Sequence, residues 1–422
     1  MHVTIVPIGS RGDVQPGLAL ALGLRKAGCQ VRVATHALFA AEITKYALEF
    51  RDVGGDPLQI LNDFMPALNS ANPLRSIPAL LAVFGELIKQ SMAGTMAACQ
   101  DTDVIVTSMP ALFATADVAA RRGVPLVTAS LHPTTNTRYA SHPLLFELTW
   151  LPPALRELYN QLTHVVGQRL VWEVARKAVN EFRQHTLGLP PLADPPLRAV
   201  HEQRLPLLYG FSQALVPRPA DWEPHNHVTG FWTLPDEAIS AYAPPPALAA
   251  FLESGPPPVF IGFSSMTLGA AAALDMAVEA VRRTGQRAVL ATGWAGYRRQ
   301  DLPPQICVVD SVPHDWIFAR VRAAILHGGV GSIAAALRAG IPLAVVTFSV
   351  EQLFWARRVE QVGASPPALA RRGLTVDKLR RTLEELLAQP RLRERAQAIS
   401  HELAREDGVA RSVDIILRHA PH

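Results

Sequence analysis

Ala323-Ala324-Ile325-Leu326-His327-Gly328-Gly329-Val330-Gly331-Ser332 decides how this chain is read. Four apolar residues run into a glycine-rich turn, and an alanine-rich amphipathic stretch follows at 332–339. That order, apolar run, tight turn, helix, is the repeating unit of a parallel sheet. Glycines let the backbone approach a ligand closely, and the unpaired N–H groups and positive end of a helix favour an anion there. His327, at the end of the strand, adds a side-chain donor. The stretch predicts a phosphate site made by His327, Gly329, Gly331 and Ser332, with Ser332 opening the helix as its N-cap. The bland alternative is a tight strand–helix turn with no ligand.

The same alternation extends on both sides. After residue 257, apolar runs at 259–263, 287–291, 306–309 and 343–347 interleave with helical patterns at 271–283, 351–362 and 376–387. The first half shows the same order, with strands at 3–8, 30–34, 104–107, 125–128 and 205–209 and helices at 15–27, 38–47, 111–122 and 155–186. Strands alternating with helices predict an α/β protein with parallel sheets. Two such blocks predict two Rossmann-like domains facing a central cleft, with ligands at the carboxyl ends of the strands. Between the blocks stand Pro244-Pro245-Pro246 and Pro256-Pro257-Pro258, which stiffen a connection and exclude a central strand. The expected organisation is an N-terminal domain at 1–232, a proline-rich linker at 233–256 and a nucleotide-binding domain at 257–398. A C-terminal helix at 399–422 is expected to pack back toward the N-terminal domain, within a region, 390–419, that reads as helical throughout.

Composition removes several classes. The chain has 422 residues, 49% hydrophobic and 18% charged, which suits large buried cores rather than disorder. The net charge is +4, and of 40 basic residues only five are lysine. No basic stripe interleaved with aromatics occurs, so no nucleic-acid partner is expected. Cys29, Cys99 and Cys307 are odd in number and far apart, which fits reduced thiols and a cytoplasmic protein. There is no C-x-x-C or H-E-x-x-H, so no metal site is expected. The first residues lack a signal-peptide pattern, and no apolar run approaches the roughly 20 residues of a membrane span. Peripheral contact with the inner face of a membrane stays open.

Spacing alone leaves one rival. Gly329-Val330-Gly331-Ser332-Ile333-Ala334 fits G-x-G-x-x-A, and Glu351 follows Gly331 by 20 residues. That is the pattern of a dinucleotide fingerprint, so an NAD-dependent oxidoreductase is the alternative function. It leaves His327 and Gln352 unexplained.

Taken together, His327-Gly328-Gly329-x-Gly331-Ser332, Gly340-Ile341-Pro342 and Glu351-Gln352-x-Phe354-Trp355 resemble the donor-site signature of family-1 glycosyltransferases with the GT-B fold. Gly9-Ser10-Arg11-Gly12-Asp13-Val14-Gln15-Pro16 is similar to the opening loop of the sterol- and antibiotic-type branch. Gly262-Phe263-Ser264-Ser265-Met266, Gly293-Trp294 and Val312-Pro313-His314-Asp315-Trp316 resemble that branch too. The resemblance implies an inverting, metal-independent UDP-glycosyltransferase without a cofactor. It would move a hexose, glucose first among them, from UDP-glucose or a dTDP-sugar to a hydroxyl of a lipophilic small molecule such as a sterol, carotenoid or polyketide. Glu351 stands where the family more often has Asp, and Thr347 where it often has Pro, so donor binding is better supported than sugar identity. A nucleotide-sugar-binding partner that no longer catalyses is a third reading, against which the acidic Asp13 and the intact Glu351-Gln352 pair argue.

Residue by residue, the resemblance implies that His327, Gly329, Gly331, Ser332 and Ser265 hold the diphosphate. Preoriented donors there would stabilise the charge that builds on the leaving group. Glu351 and Gln352 would read sugar hydroxyls, an acceptor beside a group that both donates and accepts. Trp294 and Val312 would flank the nucleoside. Asp13 would be the general base, since a carboxylate in a water-poor site can be tuned to take a hydroxyl proton. Asp13 also suits a helix cap, and Arg11 is placed to neutralise it. Gly12, His132 and His142 are expected near the acceptor, the two histidines as rival bases. The apolar segments 55–95 and 130–150, with Phe64, Met65, Phe84 and Met92, would receive the aglycone.

Overall fold

A computed structural model describes residues 1–64, 73–236, 242–263, 269–297, 299 and 301–420. Contacts divide the chain into two units, the first comprising 1–213, 217–234 and 407–422, the second 214–216 and 235–406. The first unit runs β1 (His2–Val6), α1 (Arg11–Lys26), β2 (Gln30–Thr35), α2 (Ala40–Thr44), β3 (Glu49–Asp52), α3 (Pro57–Asp63), α4 (Pro73–Ala98), β4 (Val104–Ser108), α5 (Leu112–Arg122), β5 (Leu126–Ser130), α6 (Pro153–Phe182), α7 (Pro196–Glu202), β6 (Leu207–Tyr209) and β7 (Asn226–Val228). Its strands lie in the order β3-β2-β1-β4-β5-β6-β7, all parallel. The second unit runs α8 (Pro246–Glu253), β8 (Val259–Gly262), α9 (Ala270–Thr284), β9 (Ala288–Ala291), β10 (Ile306–Val309), α10 (His314–Phe318), β11 (Ala323–Leu326), α11 (Val330–Arg338), β12 (Leu343–Thr347), α12 (Val350–Gln361), β13 (Leu369–Ala370), α13 (Val376–Ala388) and α14 (Pro390–Leu403). Its order is β10-β9-β8-β11-β12-β13, again all parallel.

Both sheets therefore reverse strand order beside their first strand, at β1/β4 and at β8/β11. Open parallel sheets bind ligands at that switch point, outside the carboxyl ends of the strands. The central strands are buried on both faces, which is why they read as continuous apolar runs. In the first unit, Val3, Ile5, Val33 and Val106 pack toward α1, while Val6, Ile8 and Ile105 pack with Leu87, Leu112 and Val118 on the opposite face. In the second, Val259, Ile261, Leu290 and Ile325 pack against α9 and α13.

Several elements differ from the sequence reading. The strand expected at 3–8 ends at Val6, and β3, β7 and β13 were not anticipated. Region 390–419 is two helices, broken between Leu403 and Gly408. α15 (Gly408–Arg418) lies in the first unit, where Val413 and Ile416 join the core around α1 and the Ser412 hydroxyl donates to Thr229 Oγ1 at 3.0 Å. Part of the span read as linker is α8, with Pro245 as N-cap and Pro246 in its first turn. Proline is tolerated there because a first-turn N–H has no helical acceptor to lose.

Candidate active site

The loop after β11 is built as a cradle. Gly328 has φ +97°, and a Cβ on it would meet Val345 Cγ1 at 2.9 Å and Gln352 Cβ at 3.1 Å, so only glycine fits. The His327 ring lies over Gly329, its Nε2 2.6 Å from where a Cβ would stand. Gly329, not Ser332, is the N-cap of α11. Ser332 sits within the first turn, and its hydroxyl donates to the Gly329 carbonyl at 2.8 Å. A serine inside the turn leaves the entrance of the helix to glycine backbone. The N–H groups of Val330, Gly331 and Ser332 have no acceptor within the helix. A Cβ on Gly331 would meet nothing within 4 Å.

His327 is 7% exposed, and its Nδ1 is buried with no hydrogen-bond partner. Burial pushes its pKa down to about 4, the charge of Glu351 works in the opposite direction, and His314 adds to the depression. The imidazole is neutral at pH 7 and offers one N–H. These three side chains therefore form one electrostatic group, following β10, β11 and β12.

The β12–α12 turn explains Gln352 differently from the sequence reading. Ser349 caps α12 and accepts from the Gln352 N–H at 3.4 Å. Gln352 Oε1 in turn accepts from the Phe348 N–H at 2.7 Å, and the residue is buried. Its carboxamide oxygen is committed to the turn, bonded to the residue just before the N-cap. Glu351, one residue earlier, is half-buried. Trp294 lies half-buried in the single turn Gly293–Ala295 after β9, and Val312 is buried after β10. The Gly293 N–H donates to the Asp310 carbonyl at 2.9 Å, tying those two loops together. Ser265 lies outside the described residues. Trp294, Val312, His327 and Glu351 thus all follow strand carboxyl ends of one sheet.

In the first unit, Ser10 caps α1, and Asp13 accepts through Oδ2 from the Ser10 N–H at 2.8 Å and hydroxyl at 3.0 Å. Gly9 has φ +139°, and a Cβ there would stand 2.4 Å from Asp13 Oδ2. Arg11 reaches Glu42 at 3.4 Å. Sequence reasoning missed His36. It is fully buried at the end of β2, its Nε2 accepts from the Gly9 N–H at 3.2 Å, and Nδ1 lies 2.9 Å from the carbonyls of Gly54 and Gly55. That pattern fixes the proton on Nδ1 and holds the loop that presents Asp13. A lone histidine after a strand carried no motif that would have marked it.

Gly12 is exposed in the first turn of α1. His132 is half-buried after β5, its backbone N–H donating to Ser130 Oγ at 3.2 Å. His142 is buried against Gly167 and stands edge-on to His164, ring centroids 5.4 Å apart. Burial pushes its pKa down to about 3, and the nearby His164 and His132 add to that. Buried in this packing, its ring is not open to a substrate hydroxyl. Met92 belongs to the core with Phe113 and Trp172, whereas Phe84 is exposed. Met65 lies outside the described residues.

Two Rossmann-type units of parallel strands, one with a glycine-rich turn at a helix entrance and the other with a loop-borne carboxylate, fit the GT-B class of sugar transferases. Residues 3–140 match the glycosyltransferase family 28 N-terminal domain, and residues 277–414 match the erythromycin biosynthesis protein CIII-like C-terminal domain. Sterol 3-beta-glucosyltransferase UGT80B1 of Arabidopsis thaliana is 32% identical over 433 residues, covering 100% of this chain and 68% of the relative. Sterol 3-beta-glucosyltransferase of Candida albicans is 33% identical over 98% of this chain but only 27% of its own length. The chain spans about a quarter to a third of the Candida, Dictyostelium and Pichia relatives, at 27%, 26% and 33%. Among solved structures, the glycotransferase of kitacinnamycin superposes with TM-score 0.70 at 21% identity over 100% of this chain and 99% of that one. CalG4, the calicheamicin glycosyltransferase, gives 0.68 at 19% identity over 99% and 98%. The chain belongs to the family-1 glycosyltransferases of GT-B fold. The dinucleotide alternative is set aside on geometry as well. Its glycine loop would follow the first strand of the sheet, whereas Gly329 follows β11, the fourth.

Proposed function

We propose that this protein is an inverting, metal-independent hexosyltransferase that moves glucose from UDP-glucose to a hydroxyl of a lipophilic small molecule. The observation that carries the reading is the buried His327, its Nε2 over Gly329 at the entrance of α11, where the N–H groups of Val330, Gly331 and Ser332 have no acceptor within the helix. Such an arrangement suits a diphosphate, whose charge grows as the anomeric C–O bond breaks. The sterol-acting relatives support the acceptor class. The neighbour VinC was solved with dTDP, which makes a dTDP-sugar the rival donor.

In this reading Asp13 takes the acceptor hydroxyl proton while the oxygen attacks the anomeric carbon, and the nucleoside diphosphate leaves with the bonding pair. Inversion follows from the single displacement. Glu351 accepts from sugar hydroxyls, and Gln352 positions the turn that presents Glu351. Trp294 and the backbone at Val312 flank the nucleoside, with Ser265 as a further phosphate donor. Gly12, His132 and the segment 130–150 line the acceptor side. His142 helps shape that loop and is not the base. The three free cysteines support a cytoplasmic setting, and a lipophilic acceptor suits peripheral contact at the inner face of the membrane. No described helix is long and apolar enough to cross one.

The test is calorimetry with UDP, dTDP and GDP. UDP should bind tightest, and His327→Ala should weaken it at least about tenfold, the scale of one lost charge-assisted hydrogen bond. Equal affinity in the variant would refute the anion site.

A further inference from the structure

In the motif Val312-Pro313-His314-Asp315-Trp316, Asp315 takes no part in the proposed donor contacts. Its carboxylate accepts from Arg338 Nη2, and neither side chain has another charged partner among the described residues. The two stand on different helices. Asp315 is in the first turn of α10, and Arg338 is the last residue of α11. Each sits at the helix end that suits its charge. They are 21% and 26% exposed, sheltered enough that salt screens the pair less than one at the open surface. α10 has five residues, too few to hold a helix by propensity, so its placement comes from what it touches. The His314 ring stacks on Phe318, centroids 5.0 Å apart, and stands edge-on to Phe260 of β8. The Asp315 carboxylate meets Arg338. The end of α11 that carries Arg338 is held in turn, since the Ser400 hydroxyl of α14 donates to the Arg338 carbonyl at 2.6 Å.

We infer that the Asp315–Arg338 pair is a positioning device, which sets the span between the loops that flank the nucleoside and the turn that receives the diphosphate. The Trp294 and Val312 loops are tied into one wall. The Thr292 N–H donates to the Val309 carbonyl at 3.0 Å, the Gly293 N–H to the Asp310 carbonyl at 2.9 Å, and the Thr292 hydroxyl to Asp310 Oδ1 at 3.4 Å. The glycine turn after β11 is a second piece. Three strand spacings, about 14 Å, separate β10 from β11 in the sheet. Backbone pairing holds that gap as far as the strands run. Beyond their carboxyl ends, the loops keep their distance through contacts that cross it. Asp315 lies three residues past Val312, and Arg338 lies on the helix that the glycine turn opens, so their bond is such a crossing. A nucleoside diphosphate joins both ends in one molecule, so its affinity depends on a span that lets them engage together. Pyrophosphate alone meets one end and does not sense the span. The inference rests on the donor-site reading of Trp294, Val312 and the glycine turn. A pair that only stabilised the fold would act alike on both ligands.

The test is calorimetry of the full chain with UDP, and with pyrophosphate by displacement of UDP. Asp315→Asn and Arg338→Gln should each weaken UDP at least about fivefold and leave pyrophosphate at the wild-type affinity. The double variant should be no worse than either single one, as holds when both remove the same interaction. Arg338→Lys keeps the cation and should recover most of the UDP affinity. Arg320→Gln is the control. Arg320 follows α10 but lies over the Trp316 ring, so its loss should leave UDP binding unchanged. Melting temperature, read on each preparation, should fall by no more than a few degrees, the ordinary worth of a partly exposed pair. UDP affinity kept in Asp315→Asn and Arg338→Gln, or pyrophosphate weakened in step with UDP, overturns the proposal. So do losses that add in the double variant, or no recovery in Arg338→Lys. Failure of the donor reading looks different, because the wild type itself then binds neither UDP nor dTDP.

Discussion

The Asp13 carboxylate accepts two hydrogen bonds from Ser10 and lies against Gly9, so it serves the start of α1 whatever else it does. Two substitutions separate that service from base catalysis. Asn keeps an oxygen for the Ser10 N–H but cannot take a proton; Ala removes both. Asp13→Ala should cost about 1 kcal/mol of stability, the ordinary worth of a cap, while Asp13→Asn should cost little. Both should lower kcat by about 10²–10⁴, the range of a lost general base, with UDP affinity unchanged. Melting curves and turnover on the same preparations check this. Turnover that follows stability, lost in Ala and kept in Asn, would reduce Asp13 to a cap. His36 belongs to the same residue-scale device. His36→Ala removes the acceptor of the Gly9 N–H, and should lower kcat without moving UDP affinity.

At the scale of an element, α11 carries a glycine its own fold does not ask for. Gly331 lies in the first turn with nothing near the position of a Cβ, and glycine weakens a helix by about 1 kcal/mol relative to alanine. Gly331→Ala should therefore raise the stability of the second unit by a few tenths to about 1 kcal/mol and weaken UDP binding. Calorimetry of the same variant for melting and for titration with UDP reads both. A stabilised variant with full affinity would mean that no ligand approaches there. The elements also explain what was legible in advance. β1, β2, β4, β11 and β12 are buried on both sides and read as apolar runs, so the two parallel sheets followed directly from the sequence. β3 is Glu49-Phe50-Arg51-Asp52 at a sheet edge, largely exposed, and β13 has two residues. Neither carries a burial pattern to read. The candidate site residues were chosen by type and order, and the structural duties that some of them carry were not visible in the sequence. Gln352 and Asp13 look alike in sequence, polar residues at helix starts, and only the Phe348 and Ser10 contacts show that both also hold their turns.

Across the whole molecule, buried histidines are unevenly shared. His142 is pushed down to about 3 and His201 to about 4, chiefly by burial, and both lie in the first unit. His164, His225 and His227 of the same unit are shifted down as well. In the second unit the comparable group is His327, pushed down to about 4. A histidine kept neutral in the fold gains no proton as pH falls, whereas the unfolded chain gains one near pH 6.5. Stability is therefore intact above about pH 6.5 and is lost as pH falls toward the folded values, at about 1.4 kcal/mol per pH unit for each such group. The carboxylates held low by arginine, Asp101 and Glu279 at about 2, respond chiefly below the range of ordinary acids. Between pH 6.5 and 4 the first unit should lose stability at about twice the rate of the second or faster. Scanning calorimetry should show two transitions that draw apart across this range. UDP identifies them, because it should raise only the second unit's transition. A diphosphate beside His327 also favours the imidazolium, so bound UDP should flatten the acid response of that transition alone. Transitions that fall in parallel, or a UDP effect on the other one, would mean that these histidines do not set the acid limit of the fold.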